Sequence, residues 1–205
     1  MMDIKTHWQN IYGKKSPDSV SWYAPHLEMS LRLINHANLS RDAHILDVGG
    51  GASTLADDLL VRGYEHIAVL DISEAALNIS QKRLGEQAGR IRWIAADVTS
   101  TQLQEHAYDL WHDRAVFHFL TTQKQRTAYI RQLLHALKPG GHLILATFAS
   151  RGPERCSGLE VVRYSADSLA RELGENFYLM ESAAEDHITP SGAKQPFLYC
   201  RFQIV

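Results

Sequence analysis

Short apolar runs alternate along the chain with segments whose apolar residues recur every three or four positions. The first run is AHILDV at 43–48. Three glycines follow, then STLADDLLVRG, a predicted helix to Arg62 that Ser53 can cap and Gly63 can stop. The second run, HIAVLD, ends at Asp71, and Ser73 is placed to start the helix EAALNISQKRL. The third, IRWIAAD, reads as a strand ending at Asp97, and the fourth is YDLWHD at 108–113. Residues 123–137 carry Arg126, Tyr129 or Ile130, Leu133 or Leu134, and Leu137 at helical spacing, until Lys138-Pro139-Gly140-Gly141 breaks them. The fifth run is LILATF at 143–148. Strands of this length between helical segments predict an α/β fold with a mostly parallel sheet.

The remaining segments are plainer. ASRGPERCSGLEVVRY at 149–164 is irregular and too polar for core, so residues 148–164 are a candidate substrate-side loop. Ser165 caps a short helix, ADSLAREL, which Gly174 ends, and NFYLMES and QPFLYCRFQIV read as a terminal strand pair. Residues 1–40 hold an aromatic leader and one helix over about 26–38.

Composition narrows the function classes. The 205 residues predict one domain, large enough to bury a core. A formal net charge of −2 gives no bulk electrostatic grip on nucleic acid or an anionic membrane, and no run approaches the ~18 apolar residues of a membrane span. Cys156 and Cys200 are far apart and suit a reducing, cytoplasmic setting. The eleven histidines show no metal-ligand spacing, so no metal site is expected.

The strongest chemical signal is HILDVGGGAST at 44–54, a buried strand running through glycines into a helix. In open α/β sheets, ligands bind outside the carboxyl ends of the strands. A dinucleotide fingerprint counted from Gly49 requires a third glycine where Thr54 stands, and no phosphate-binding G-x-x-x-x-G-K-[ST] exists. These gaps argue against a nicotinamide-dependent oxidoreductase. Asp47 directly precedes Gly49, Gly50 and Gly51. A carboxylate there would repel a pyrophosphate and suits a ligand bearing an ammonium, as S-adenosylmethionine does. Asp71 is placed to accept from ribose hydroxyls. Asp97 is placed to accept from an adenine amino group between apolar walls at Ile72 and Val98.

With these motifs in order, the sequence resembles the class I S-adenosylmethionine-dependent methyltransferases over nearly its whole length. DVGGGAS stands for the family's D/E-x-G-x-G-x-G, with Ser53 in place of the last glycine, and VLDIS, AADV and LKPGGHLIL stand for its later motifs. The resemblance implies a Rossmann-like doubly wound domain whose seven-stranded sheet has an antiparallel last strand. It also implies S-adenosylmethionine as cofactor and S-adenosylhomocysteine as product. Trp8, Tyr12, Trp22 and Tyr23 resemble the leader of the elongation-factor lysine methyltransferases, which implies cofactor contact for Trp8 and Tyr12 and substrate contact for Trp22 and Tyr23. Read from the residues alone, the same aromatics are also docking anchors.

The stretch HDRAVFHFL at 112–120 follows the fourth strand, where the transferred methyl should sit in this fold. Asp113-Arg114-Ala115 resembles the Asp-Arg-Gly/Ala-Ala of thiopurine S-methyltransferase-like proteins. The lysine methyltransferases read D-K-G-T-F-D-A here, so Asp113 and Phe117 match while Arg114 and His118 depart. His112, Asp113, Arg114 and His118 are therefore the candidate catalytic residues, with His112 also a cofactor contact and Arg114 a substrate contact. Bland readings stand beside these: His112 as a backbone-bonded strand end, Asp113 and Arg114 as a structural ion pair, the phenylalanines as packing, Cys156 as a loop cysteine. An acid helps hold an ammonium substrate, whereas Arg114 repels a cation. The expected acceptor is thus a neutral or anionic small molecule, with a thiol or other soft atom first. A protein lysine substrate is the alternative, and a cofactor-binding partner without catalysis a further one.

Overall fold

The computed structural model describes residues 3–14 and 16–205. Their center is one seven-stranded sheet in the order β3-β2-β1-β4-β5-β9-β8. β1 (His44–Val48), β2 (His66–Asp71), β3 (Ile91–Ala95), β4 (Tyr108–Arg114) and β5 (Leu137–Phe148) are parallel neighbors. β9 (Lys194–Ile204) runs antiparallel to both β5 and β8 (Phe177–Ile188). The expected Rossmann-like sheet with an antiparallel last strand is therefore what forms, and the strand order reverses between β1 and β4.

Helices cover both faces because the inner strands are apolar on both sides. Leu31, Leu33 and Ile34 of α2 (Glu28–His36), Leu55 and Leu59 of α3 (Leu55–Val61), and Leu77 of α4 (Glu74–Leu84) pack on one face. Tyr129, Leu133 and Ala136 of α5 (Gln123–Ala136) join Leu169 and Leu173 of α6 (Ala166–Leu173) on the other. Ser73 caps α4 by accepting from the Ala76 amide, and capping boxes at Thr122 and Ser165 open α5 and α6.

Four boundaries differ from expectation. The leader forms a helix, α1 (Ile4–Lys14), whose apolar spacing is too sparse to announce it. β3 stops at Ala95, so Asp97 lies two residues beyond the strand. Its Oδ1 accepts from the Thr99 amide and hydroxyl at 2.8 and 2.7 Å, a local turn that ends pairing. α5 ends at Ala136 and β5 begins at once, so Lys138-Pro139-Gly140-Gly141 lies in a strand whose register on β4 shifts between Tyr108 and Leu110. α3 takes Thr54 as its cap position, although the Ser53 hydroxyl still accepts from the Leu55 amide.

The irregular segment after β5 folds into a minimal hairpin, β6 (Arg155–Cys156) with β7 (Leu159–Glu160). Ser157 and Gly158 both have positive φ at its turn, as a two-residue hairpin of this hand demands. The Val162 amide donates to the His118 carbonyl and the Tyr164 amide to the Phe148 carbonyl, tying the segment to the ends of β4 and β5.

Candidate active site

Two adjoining cavities open at the carboxyl ends of the parallel strands. The smaller, about 40 Å³, is lined by Asp47, Gly49, Gly50, His112 and Tyr23 among others. The larger, about 740 Å³, falls within the usual span of small-molecule pockets, roughly 300–1,000 Å³. Tyr12, Trp22, Val48, Gly49 and Arg114 line both.

The glycine turn brings two carboxylates together. A Cβ on Gly50 would collide with the Asp47 carboxylate, and one on Gly51 would stand 2.5 Å from Asp71 Oδ2. Only residues without a side chain let the loop close over these acids. Asp47 is buried on β1 and faces its register partner on β4, His112. His112 Nδ1 donates to Asp47 Oδ1 at 2.7 Å, and Nε2 pairs with the Ser30 hydroxyl on α2 at 2.8 Å. Asp47 Oδ2 is buried and has no partner among the described residues. Such an acceptor is costly unless a donor arrives, and a cationic ammonium fits it.

Asp71, at the end of β2, accepts from the Ser73 amide at 2.8 Å. Burial pushes its carboxyl up to about 7, against the amides of Ser73 and Gly51. Ile72, Asp97 and Val98 line the larger cavity beside it, as does Thr99. Asp97 uses only Oδ1 in its turn. The orphaned Asp47 oxygen, the crowded glycine turn and the Asp71–Asp97 edge suit an amino acid joined to a nucleoside.

The leader closes this edge. Gln9 of α1 accepts from the Ser73 hydroxyl at 3.1 Å and the Ala75 amide at 2.9 Å, seating α1 on the start of α4. Trp8 meets Trp22 and Phe119 edge-to-face at 5.6 and 5.1 Å, and the Trp22 indole donates to the Tyr12 hydroxyl at 3.1 Å. Trp8, Tyr12 and Trp22 all line the larger cavity; Tyr23 does not. The turn closed by the Tyr23 amide on the Val20 carbonyl puts Tyr23 in the lining of the smaller cavity, beside Trp22 and Arg114.

The four candidates of HDRAVFHFL have separate fates. His112 has both ring nitrogens paired with protein partners, Asp47 and Ser30. Asp113 lines neither cavity and forms no ion pair with Arg114 among the described residues. It is fully buried, accepts from the Val116 and Phe117 amides and the Tyr129 hydroxyl, and so holds the turn after β4; burial raises its carboxyl to about 6. Arg114 does face both cavities. Its Nε donates to the Tyr199 hydroxyl at 2.9 Å and its Nη1 to the Trp22 carbonyl at 2.8 Å, with the guanidinium over Phe197 at 4.7 Å. His118 lines the larger cavity, buried against Phe119 and Phe148.

Several lining residues were not foreseen. Phe148 ends β5, a position the strand-end rule could have flagged. Phe197 comes from the last strand, where nothing in the sequence marked it; Tyr199, Gln9 and Ser30 stand behind the lining, bonded to Arg114, to the start of α4 and to His112. The hairpin, within the 148–164 segment that the sequence offered as a substrate-side loop, contributes Arg155, Cys156, Leu159 and Glu160; burial lifts the Cys156 thiol to about 11. No group of metal-ligating side chains occurs among the described residues, and no helix there is long and apolar enough to cross a membrane.

Residues 45–141 match a family described as a methyltransferase domain. The mouse (Mus musculus) eEF1A lysine and N-terminal methyltransferase is 22% identical over 138 residues, which cover 67% of this chain. The chain spans only 19% of that relative's length. A solved structure described as conversion of a disulfide bond into a thioacetal group during echinomycin biosynthesis superposes with a TM-score of 0.79 at 17% identity, covering 98% of this chain and 93% of the other. The N-methyltransferase NodS from Bradyrhizobium japonicum WM9, in complex with S-adenosyl-L-homocysteine, gives 0.72 at 18% identity, covering 98% and 99%.

Proposed function

From a chain that matches the methyltransferase-domain family over residues 45–141 and carries the class I fold, we propose an S-adenosylmethionine-dependent methyltransferase acting on a small molecule, with a thiol or other soft atom as the first acceptor to test. The observation that carries the reading is the buried, unpartnered Asp47 Oδ2 beside a glycine turn. It supplies the acceptor that an ammonium needs, and no phosphate-binding loop competes for the place.

The residues divide the work. Asp47, oriented by His112, receives the ammonium of the cofactor's amino acid. Asp71 accepts from the ribose hydroxyls and Asp97 from the adenine amino group, with Ile72 and Val98 as apolar walls. Bound, S-adenosylmethionine supplies a methyl on a sulfonium: the acceptor's lone pair bonds to the methyl carbon as the methyl–sulfur bond breaks, the sulfur keeping the bonding pair. The leaving sulfur is neutral, so the protein's task is alignment and exclusion of water. Trp8, Tyr12 and Trp22 roof the cavity, and a ring face beside a cation contributes about 0.5–2 kcal/mol. Neither His112 nor His118 has a ring nitrogen open to take a proton, which favors an acceptor that loses its proton more readily, a thiol of pKa ~8.5 over a lysine of ~10.4. The buried free cysteines, Cys156 and Cys200, fit a reducing cytoplasm.

A second reading, a protein lysine N-methyltransferase, is favored by the likeness to the eEF1A methyltransferases. Arg114, with no carboxylate partner among the described residues, argues against a cationic substrate. Calorimetry with S-adenosylhomocysteine tests the first step: binding is expected, and Asp47→Ala should weaken it at least about tenfold, a charged hydrogen bond's worth. An inert wild type sinks the reading. Radiolabeled S-adenosylmethionine added to lysate then separates the acceptors, since label confined to protein bands would favor the second.

A further inference from the structure

His118 is fully buried in the wall of the larger cavity, yet its Nε2 has no partner among the described residues. The backbone sets its tautomer. The Phe148 amide donates to His118 Nδ1 at 3.2 Å, so Nδ1 is an acceptor and the ring proton sits on Nε2. Burial, then the nearby charge of Arg114, hold its pKa down to about 3, so the ring stays neutral. A proton acceptor it is not: one nitrogen is committed to an amide and the other already carries the proton. What it offers is a single N–H donor of fixed direction, and buried donors left unpaired are rare.

The surroundings describe what that donor meets. Phe119, Phe148 and Phe197 line the same cavity, flat faces that suit a planar body. Arg114 brings a positive charge clamped by two neutral oxygens, with no carboxylate in direct contact among the described residues; the Tyr199 hydroxyl in turn donates to Glu185 at 3.1 Å. The hairpin adds Arg155 and Glu160, which pair with each other at 3.5 Å. Among the described residues Arg114 thus forms no direct ion pair, unlike Arg155.

We propose that this half of the cavity selects a planar methyl acceptor carrying an anionic oxygen, such as a carboxylate or an enolate, which accepts the His118 Nε2–H and faces Arg114. The inference rests on the reading that the other half holds the cofactor. An ammonium has no lone pair for the Nε2–H and would meet a guanidinium. His118 is then a specificity-determining contact, a role separate from proton transfer.

The test is calorimetry on the protein saturated with S-adenosylhomocysteine, using thiosalicylate, thiophenol and phenethylamine as probes. Thiosalicylate should bind at least about tenfold more tightly than thiophenol, as a charge-assisted hydrogen bond implies, and phenethylamine should not bind. His118→Phe should cut that margin severalfold, leaving what Arg114 alone supplies, while His118→Gln, which keeps an amide N–H donor, should lose less. S-adenosylhomocysteine affinity and melting temperature report whether each variant is folded. An unchanged margin in folded His118→Phe overturns the inference, as does a wild type that shows no margin or prefers the amine. If His118→Phe does not fold, the wild-type ranking and His118→Gln still decide. Loss of S-adenosylhomocysteine binding in the wild type would instead overturn the methyltransferase reading.

Discussion

Asp71 shows how much a single carboxyl can report. Its folded pKa, about 7, lies well above its unfolded value because burial disfavors the charge. Its contribution to stability is therefore fully present below the unfolded pKa and is lost as pH rises through about 7. Ribose hydroxyls donating to the carboxylate reverse that preference on binding. We predict that S-adenosylhomocysteine binds with net proton release near pH 6.5, seen as a dependence of calorimetric heat on buffer ionization enthalpy. Asp71→Asn should abolish the dependence, and equal heats in all buffers for the wild type would refute it. Asp47, Gly49 and Gly50 were legible in the sequence because strand, acid and glycines fall consecutively, and Asp71 because it closes the next apolar run. The fates of His112, Asp113 and His118 were not. Three polar residues within one stretch look alike on paper, and only the partners brought by α2, α5 and β5 tell them apart.

Among the elements, α1 is the one that hydrophobic spacing failed to announce. Its inner face is aromatic and polar, and it is held by Gln9 on the start of α4 as much as by apolar contact. Gln9→Ala removes two accepted hydrogen bonds at that junction, a loss of about 1–3 kcal/mol if the donors stay dry. The expected result is faster amide exchange across α1 and weaker S-adenosylhomocysteine binding with little change in the sheet's protection. Uniform loss of protection across the sheet would show instead that α1 is part of the global unfolding unit. The strands and α3 to α6 were legible because caps, glycines and apolar runs coincide. Strand ends were less so: β3 stops early because Asp97 spends an oxygen on a local turn, and β5 starts early because the register shift absorbs Gly140 and Gly141.

For the molecule as a whole, the cavity lies between elements far apart in sequence, so ligand binding and global stability are coupled. At one hundred times its dissociation constant, S-adenosylhomocysteine should add about 2.7 kcal/mol to unfolding. In a domain of this size that corresponds to a rise in melting temperature of roughly 5–10 °C. Scanning fluorimetry checks it, and a flat melting temperature across a saturating titration would contradict a site formed only in the folded state. The match to the methyltransferase-domain family ends at residue 141, whereas the acceptor side of the cavity draws on Phe148, the hairpin and Phe197. On the proposed reading, the three cofactor acids, Asp47, Asp71 and Asp97, lie within the matched residues, and the acceptor wall combines matched residues, Arg114 and His118, with Phe148, the hairpin and Phe197 outside the match.

That division matches what could be read at each stage. The strands, the glycine turn and the acids at the strand ends follow from local rules: a strand end, a turn and a helix start lie within a dozen residues and constrain one another. The acceptor side obeys no local rule. Which nitrogen of His118 carries the proton depends on an amide thirty residues away on β5, and the loneliness of Arg114 depends on Tyr199 from the last strand and the Trp22 carbonyl from the leader. Hydrogen-bond partners and desolvation are properties of neighbors in space, and the chain specifies those only once it has folded.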